Sequence, residues 1–297
     1  MTVIDLNQDY LVRAITNDGS AQVFAATAKG LVEEARKMHD LSLTATAALG
    51  RTLIAGAMMG SAMKNEKDAL SIVFNGDGPL GKIVVTAKSD GSVKGYVGNP
   101  KASLPSEAGK KLDVGGIVGE GTLQVIRDIS MREPYGGTVE IQTGEIAEDL
   151  AYYFTVSDQI PSAVSLGVLL NDDGTVHEAG GFIVQMLPGA DDAVAAQLEE
   201  RIAAFPSIST LLAEGKNPEA IIEELFEGFE PKILTHTPIC FRCDCTRERT
   251  GKLLGLMGKD ELQEMIDEGE SATLECAFCN KKYTFTVDEM KAIAAGL

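Results

Sequence analysis

Three features of the 297-residue sequence predict an α+β fold ending in a small appended domain. Short β-branched runs follow one another through the first 188 residues with few helices between them. An acidic amphipathic stretch comes next, and all five cysteines lie in the last 58 residues. Successive strands without intervening helices favour α+β over a regular βαβ repeat. The expected division is a mixed sheet-and-helix core over 1–188, an amphipathic helical linker over 189–230, and a cysteine-rich domain over 231–297.

In the core, strand-like segments fall at Leu11–Ile15, Ala69–Phe74, Lys82–Thr86, Ser92–Val97, Thr122–Ile126, Thr138–Gln142, Ala163–Leu170 and Phe182–Leu187. They are bounded by turn signals such as GDG, SDG, GNP, YGG and NDDG. Helices are expected near 28–38, 44–63 and 145–155. The stretch Thr44–Met63 is long enough to raise the question of a membrane span. It is mostly Ala, Gly and Thr with Arg51 at its centre, and a central Arg costs several kcal/mol in a bilayer, so a buried, close-packed helix is the better reading.

From Pro188-Gly189 the character changes. Residues 190–230 hold ten acidic side chains against two basic, a net −8 of the chain's −18. Val194, Leu198, Ile202 and Phe205 recur at spacings of four, four and three and make one apolar helix face. Asn217-Pro218 is a good N-cap and first-turn pair for another helix, with Ile221, Ile222 and Leu225 on its buried side. Helices this short are marginal alone, so these faces must dock on something.

The last segment opens with a strand-like run, Lys232 to Phe241. Helices are expected near 247–256 and from Asp260 to Glu268, followed by a hairpin of Ala272–Glu275 and Tyr283–Thr286 with a cysteine pair in its turn. Such a small domain has a thin core and normally needs a staple. The cysteines supply one: Cys240-x2-Cys243-x-Cys245, thirty residues, then Cys276-x2-Cys279. Clustered thiols in two halves make a soft four-sulfur site whose natural occupant is zinc. Spacing alone leaves the first half open, because Cys240 with Cys243 would also make a knuckle with Cys276 and Cys279. Thiols as close in sequence as Cys243 and Cys245 can also pair with each other.

Other classes are disfavoured. The charge of −18 would be repelled by phosphate backbones, so no nucleic-acid partner is expected, and no membrane partner either. The opening MTVIDLNQDY lacks the basic and apolar regions of a secretory signal. With an odd cysteine count, this points to metal or redox chemistry in the cytoplasm. Gly76-Asp-Gly-Pro-Leu-Gly-Lys82 matches phosphate-loop patterns, but a β-branched run follows it where a helix is required, so it reads as a hairpin turn. His39, His177 and His236 are scattered and no G-x-S-x-G elbow occurs, so no enzyme is expected.

Cys243-Asp-Cys245-Thr-Arg-Glu-Arg, the thirty-residue gap and Cys276-Ala-Phe-Cys279 followed by Tyr283-Thr-Phe resemble the C-terminal switch of the 33-kDa chaperonin family. Gly119-Glu-Gly-Thr-Leu, Pro134-Tyr-Gly-Gly-Thr-Val-Glu, Ser157-Asp-Gln-Ile-Pro-Ser and Ala179-Gly-Gly-Phe are similar to that family's core, and the resemblance covers nearly the whole chain. It implies a redox-regulated, ATP-independent holdase of the stress response. One zinc per chain is implied in the reduced state, on Cys243, Cys245, Cys276 and Cys279. On oxidation the implied disulfides are Cys243–Cys245 and Cys276–Cys279, with zinc loss, unfolding of the switch and linker, and homodimerisation. The implied partners are unfolding client proteins and downstream ATP-dependent refolding chaperones, with the face of Val194, Leu198, Ile202 and Phe205 as a client-binding surface. Cys240 departs from the four-cysteine pattern and reads as a bystander; Thr246 stands where the family more often has Ser. Two alternatives to this function are a constitutive zinc-ribbon binding module and a thiol–disulfide oxidoreductase.

Overall fold

The computed structural model describes residues 8–104, 111–129 and 133–295, and the chain divides into two units, the second beginning at Cys243. The first seven residues of MTVIDLNQDY lie outside the described residues. In the first unit, β1 (Tyr10–Ile15) and β2 (Ala21–Thr27) precede α1 (Lys29–His39) and α2 (Leu43–Ser61). Then come β3 (Ala69–Gly76), β4 (Ile83–Lys88), β5 (Ser92–Val97), α3 (Val114–Val118), β6 (Gly121–Asp128) and β7 (Tyr135–Glu140). Next are α4 (Ala147–Val156), β8 (Ser162–Leu170) and β9 (Val176–Met186). The linker helices α5 (Asp192–Ala204), α6 (Ile208–Ala213) and α7 (Pro218–Leu225) lead to β10 (Lys232–Pro238) and β11 (Cys240–Phe241).

The strands form two sheets, in the orders β10-β1-β2-β9-β8 and β11-β5-β4-β3-β6-β7. All pairings are antiparallel except that of β11 with β5. Helix α2 packs against both sheets, which is why every residue from Thr44 to Gly60 is buried. Its small residues permit that closeness: a Cβ on Gly56 would lie 2.7 Å from Val85 Cγ1, and one on Gly50 2.8 Å from Val32 Cγ1. Arg51 survives there because its Nη1 donates to Glu145 Oε2 at 2.8 Å and to the Glu145 carbonyl at 3.2 Å. Among the described residues no helix is long and apolar enough to cross a membrane.

Period-two alternation gives the five-stranded sheet two apolar faces. Leu11, Phe24 and Ala26 join the α2 core, whereas Tyr10, Val12, Val23 and Ala25 turn to the opposite side. The linker helices cover that opposite side. Leu198, Ile208, Leu211, Ile221, Ile222, Leu225 and Phe226 are buried against it, and Val194, Ile202 and Phe205 are half-buried. Asn217 caps α7 by accepting from the Ala220 N–H at 2.9 Å, as its place before Pro218 predicts.

Several elements differ from the sequence expectation. Strand β2 was not anticipated, because AQVFAAT is alanine-rich and weak in β-formers. Strands β10 and β11, expected with the cysteine-rich segment, belong to the first unit: β10 pairs with β1 and β11 with β5. Pairing with strands so distant in sequence, Pro238 with Tyr10 and Cys240 with Ser92, leaves no trace in local periodicity.

The second unit contains α8 (Arg247–Leu256), α9 (Lys259–Glu268), β12 (Ala272–Glu275), β13 (Lys282–Phe285) and α10 (Val287–Ala295). The two spacer helices and the hairpin fall where the sequence places them; α10 is additional. The core is thin, with Leu254, Leu262, Ile266, Ala272, Tyr283, Phe285 and Met290 as its buried side chains.

Candidate metal centre

The C-x-C half sits on the extended segment just before α8, and the C-x-x-C half on the turn between β12 and β13. That turn is a tight backbone knuckle. The N–H groups of Cys279 and Asn280 donate to the Cys276 carbonyl at 3.2 and 2.8 Å, and the Cys276 N–H donates to the Lys281 carbonyl at 3.0 Å. Asn280 takes the left-handed conformation (φ 56°) that lets the chain reverse there. The sulfurs of Cys243, Cys245, Cys276 and Cys279 all lie within 4.8 Å of one another. Cys243 Sγ is 3.7 Å from Cys276 Sγ, and Cys245 Sγ is 3.3 Å from Cys279 Sγ. A tetrahedral ion with metal–sulfur bonds of about 2.3 Å requires sulfur–sulfur edges of about 3.8 Å. The arrangement is therefore compatible with a metal ion on these four thiols.

Residues between and around the cysteines hold the cradle. Asp244 Oδ2 accepts from Arg249 Nη1 at 2.8 Å, bracing the C-x-C segment onto α8. Thr246 caps α8 by accepting from the Arg249 N–H at 3.2 Å. Arg247 Nη2 donates to the Thr284 carbonyl at 2.6 Å and to both Glu289 oxygens at 2.7 and 2.8 Å, and its guanidinium lies over the Phe285 ring at 4.5 Å. It thus ties the start of α8 to β13 and α10. The Tyr283 hydroxyl donates to the Cys245 carbonyl at 3.1 Å and stands 3.3 Å from Cys245 Sγ. Sequence reading missed these braces; the only signal was the charged run Asp244 to Arg249, which carries no pairing information.

The thiols are electrostatically unequal. Burial is the leading cause that pushes Cys243 and Cys279 up. Burial acts the same way on Cys245, but the Tyr283 hydroxyl and the three neighbouring sulfurs outweigh it and bring Cys245 down to about 7. The hydrogen bond to Cys245 in turn raises Tyr283 to about 12. Donors that favour a thiolate suit a cation-binding cradle.

Cys240, three residues before Cys243, belongs to β11 of the first unit, opposite Ser92 of β5. His236 is also in the first unit, with Nε2 2.9 Å from Glu219 Oε1. The stripe of Val194, Leu198, Ile202 and Phe205 faces its own sheet, with the Phe205 ring edge-on to Phe182 at 5.8 Å.

The fold and site define a class: an α+β protein with helices docked on one sheet and a small second unit built around a four-thiol, metal-compatible centre. The model of the Hsp33 protein family matches residues 9–286. A 33 kDa chaperonin of Clostridioides difficile is 47% identical over 96% of this chain and 98% of its own length. One from Clostridium perfringens is 49% identical over 95% of this chain and 89% of its own. The crystal structure of the 33 kDa chaperonin from Thermotoga maritima superposes with a TM-score of 0.88 at 36% identity, covering 97% of this chain and 98% of that one. The chain belongs to the Hsp33 family, and the family supports a chaperone that binds client proteins.

Proposed function

We propose that the protein is a redox-regulated, ATP-independent holdase, inactive when reduced and active when its four clustered cysteines are oxidised. The observation that carries this reading is the gathering of the Cys243, Cys245, Cys276 and Cys279 sulfurs within 4.8 Å. They fit zinc by donor type and spacing. Bound zinc supplies the folding energy a thin core lacks, on the order of 10–16 kcal/mol for structural sites.

The cysteines carry the switch. Hydrogen peroxide oxidises one thiol of a pair to a sulfenic acid, releasing water; the second thiol attacks that sulfur, a disulfide forms, and a second water leaves. The pairing is Cys243 with Cys245 and Cys276 with Cys279. Each disulfide withdraws two sulfurs from the metal site, so two disulfides dismantle it. The second unit then unfolds and the acidic linker helices lose support. The face of Val194, Leu198, Ile202 and Phe205, with the sheet surface it covers, becomes available to unfolding clients, as large apolar patches do. Homodimerisation accompanies activation, and clients pass to ATP-dependent refolding chaperones in the cytoplasm under stress. Cys240 takes no part.

The test compares suppression of client aggregation without ATP by the reduced, zinc-loaded protein and by the peroxide-treated, mildly heated protein, while zinc release is followed. Oxidation that released zinc without a gain in antiaggregation activity would overturn the reading. A Cys240→Ser variant should keep one zinc per chain.

A further inference from the structure

Helix α5 does not meet the sheet along its whole length. Between it and the β8 end of the five-stranded sheet lies a cleft of about 240 Å³. Leu198 and Ile202 form its helix side, and Ala163, Val184 and Met186 its sheet side. Apolar voids hold water poorly; one of about 150 Å³ with such walls stays dry and takes a benzene ring. The space here suits a molecule of one or two rings. The Met186 thioether adapts to a ring edge and gains from sulfur–aromatic contact.

The polar groups on the wall set the charge of the guest. Ser162 is committed, donating its hydroxyl to the Ile160 carbonyl at 2.9 Å. Glu199, next to Leu198 on α5, stands exposed on the rim with no ion-pair partner among the described residues. Among the described residues no lysine, arginine or histidine lines the cleft. The linker around it carries −8 of the chain's −18. Over a Debye length of about 8 Å at physiological salt, such a field gathers cations and repels carboxylates. An apolar cleft with a carboxylate at its mouth is matched by an aromatic ring that carries an ammonium on a short tether.

We propose that this cleft binds a small arylalkylamine, its ring against Leu198, Val184 and Met186 and its ammonium at Glu199, and that the bound amine clamps α5 to the sheet. The two walls belong to different elements, so the site exists only while α5 is docked. A ligand that binds only the docked state stabilises it by mass action, by a factor of one plus its concentration over its dissociation constant. Binding and clamping stand apart from the holdase reading. The consequence for activation rests on it: the amine is a brake that raises the oxidation or temperature needed to release the linker.

The probe is tryptamine, titrated into the full-length, reduced, zinc-loaded protein carrying methyl-labelled methionine. The chain has no tryptophan, so the indole emission of the probe reports binding as well. The Met186 methyl signal should shift saturably, and at ten times the dissociation constant α5 amide exchange should slow about tenfold. Ala195→Leu and Ala163→Leu, which fill the cleft from its two walls, should each weaken binding about tenfold with circular dichroism unchanged. Glu199→Gln should weaken it about threefold, the scale of an exposed ion pair, and should narrow tryptamine's lead over indole-3-propionate. n-Butylamine, which has the charge without the ring, should not displace the probe. An unmoved Met186 signal, α5 exchange unaltered at saturation, or equal affinity for the parent and both leucine variants would overturn the proposal. So would an unchanged lead over indole-3-propionate in Glu199→Gln, or displacement by butylamine. If the oxidised protein suppresses aggregation while tryptamine leaves Met186 untouched, the cleft assignment alone fails. If tryptamine binds and slows α5 exchange while no redox state suppresses aggregation, the holdase reading fails and the clamp stands.

Discussion

Tyr10 in β1 donates its hydroxyl to Glu219 Oε2 in α7 at 2.8 Å, joining the first strand to the last linker helix. His236 Nε2 in β10 meets the other carboxylate oxygen at 2.9 Å, so Glu219 spans two neighbouring strands. Burial first, and then the carboxylate, push the Tyr10 hydroxyl up, which keeps it protonated and donating at ordinary pH. Linker docking thus has a polar clasp on top of its apolar contacts. Leaving the buried Tyr10 hydroxyl unpartnered costs about 1–3 kcal/mol. Glu219→Ala should therefore speed amide exchange in α7 while α2 remains protected. Unchanged α7 exchange would show that apolar burial alone holds the helix.

Removing the metal should separate the two units energetically. With a core of seven buried side chains, the second unit should unfold when a chelator strips zinc under reducing conditions, while the first unit keeps its cooperative transition. Cys279→Ser should act in the same direction. Arg247→Ala is the comparator, since it leaves the four sulfurs intact but removes the bidentate contact to Glu289. A half-exposed pair of this kind is screened by solvent and contributes little, so this variant should lower the unfolding midpoint of the second unit modestly and retain its zinc. Complete loss of zinc from Arg247→Ala would contradict this ordering.

The contrast between the cysteines and their supports shows what a sequence exposes. A thiol cluster is legible because its spacings are local and thiols have few other uses in such clusters, but spacing alone does not choose between Cys240 and Cys245 as the partner of Cys243. The buried helix around Arg51 is legible from its run of small residues. Asp244–Arg249 and Arg247–Glu289 are not, because charged residues are common on surfaces and pairing is decided by the fold. The alanine-rich strand β2 escaped because sheet neighbours on both sides, rather than its own residues, make it a strand. Strand β10 is legible as a strand-like run, but its mostly exposed residues do not disclose that β1 is its partner.

Acid should weaken the first unit through Glu33. The hydrogen bonds from Arg36, at 2.8 and 2.7 Å, are the largest cause holding its carboxyl down at about 2, and the Val176 N–H adds to them at 3.0 Å. A carboxylate lowered in the folded state contributes stability that is fully present above its unfolded value of about 4.5. That stability is lost as pH falls through the folded value of about 2. Glu33→Gln should cost about 1–2 kcal/mol near neutral pH, in line with hydrogen bonds to charged groups. The difference from the parent should shrink steadily below about pH 4.5 in urea unfolding. A difference independent of pH would assign the effect to packing.

Helix α5 is the least tightly seated part of the linker. Beneath it lies a cavity of about 240 Å³ lined by Ala195, Leu198 and Ile202 on the helix and by Ala163, Val184 and Met186 on the sheet. Missing contacts on one side of a helix lower its docking energy, whereas α7 fills its site with Ile221, Ile222 and Leu225 and adds the Glu219 clasp. Ala195→Leu should fill part of the void and strengthen docking by about 0.5–2 kcal/mol, as cavity-filling substitutions do. Amide exchange in α5 should slow by the corresponding factor, with α7 unchanged. Under the holdase reading, the same variant should need stronger oxidation or higher temperature to reach half-maximal antiaggregation activity at unchanged zinc release. Slower α5 exchange with an unaltered activation threshold would place the controlling step outside α5.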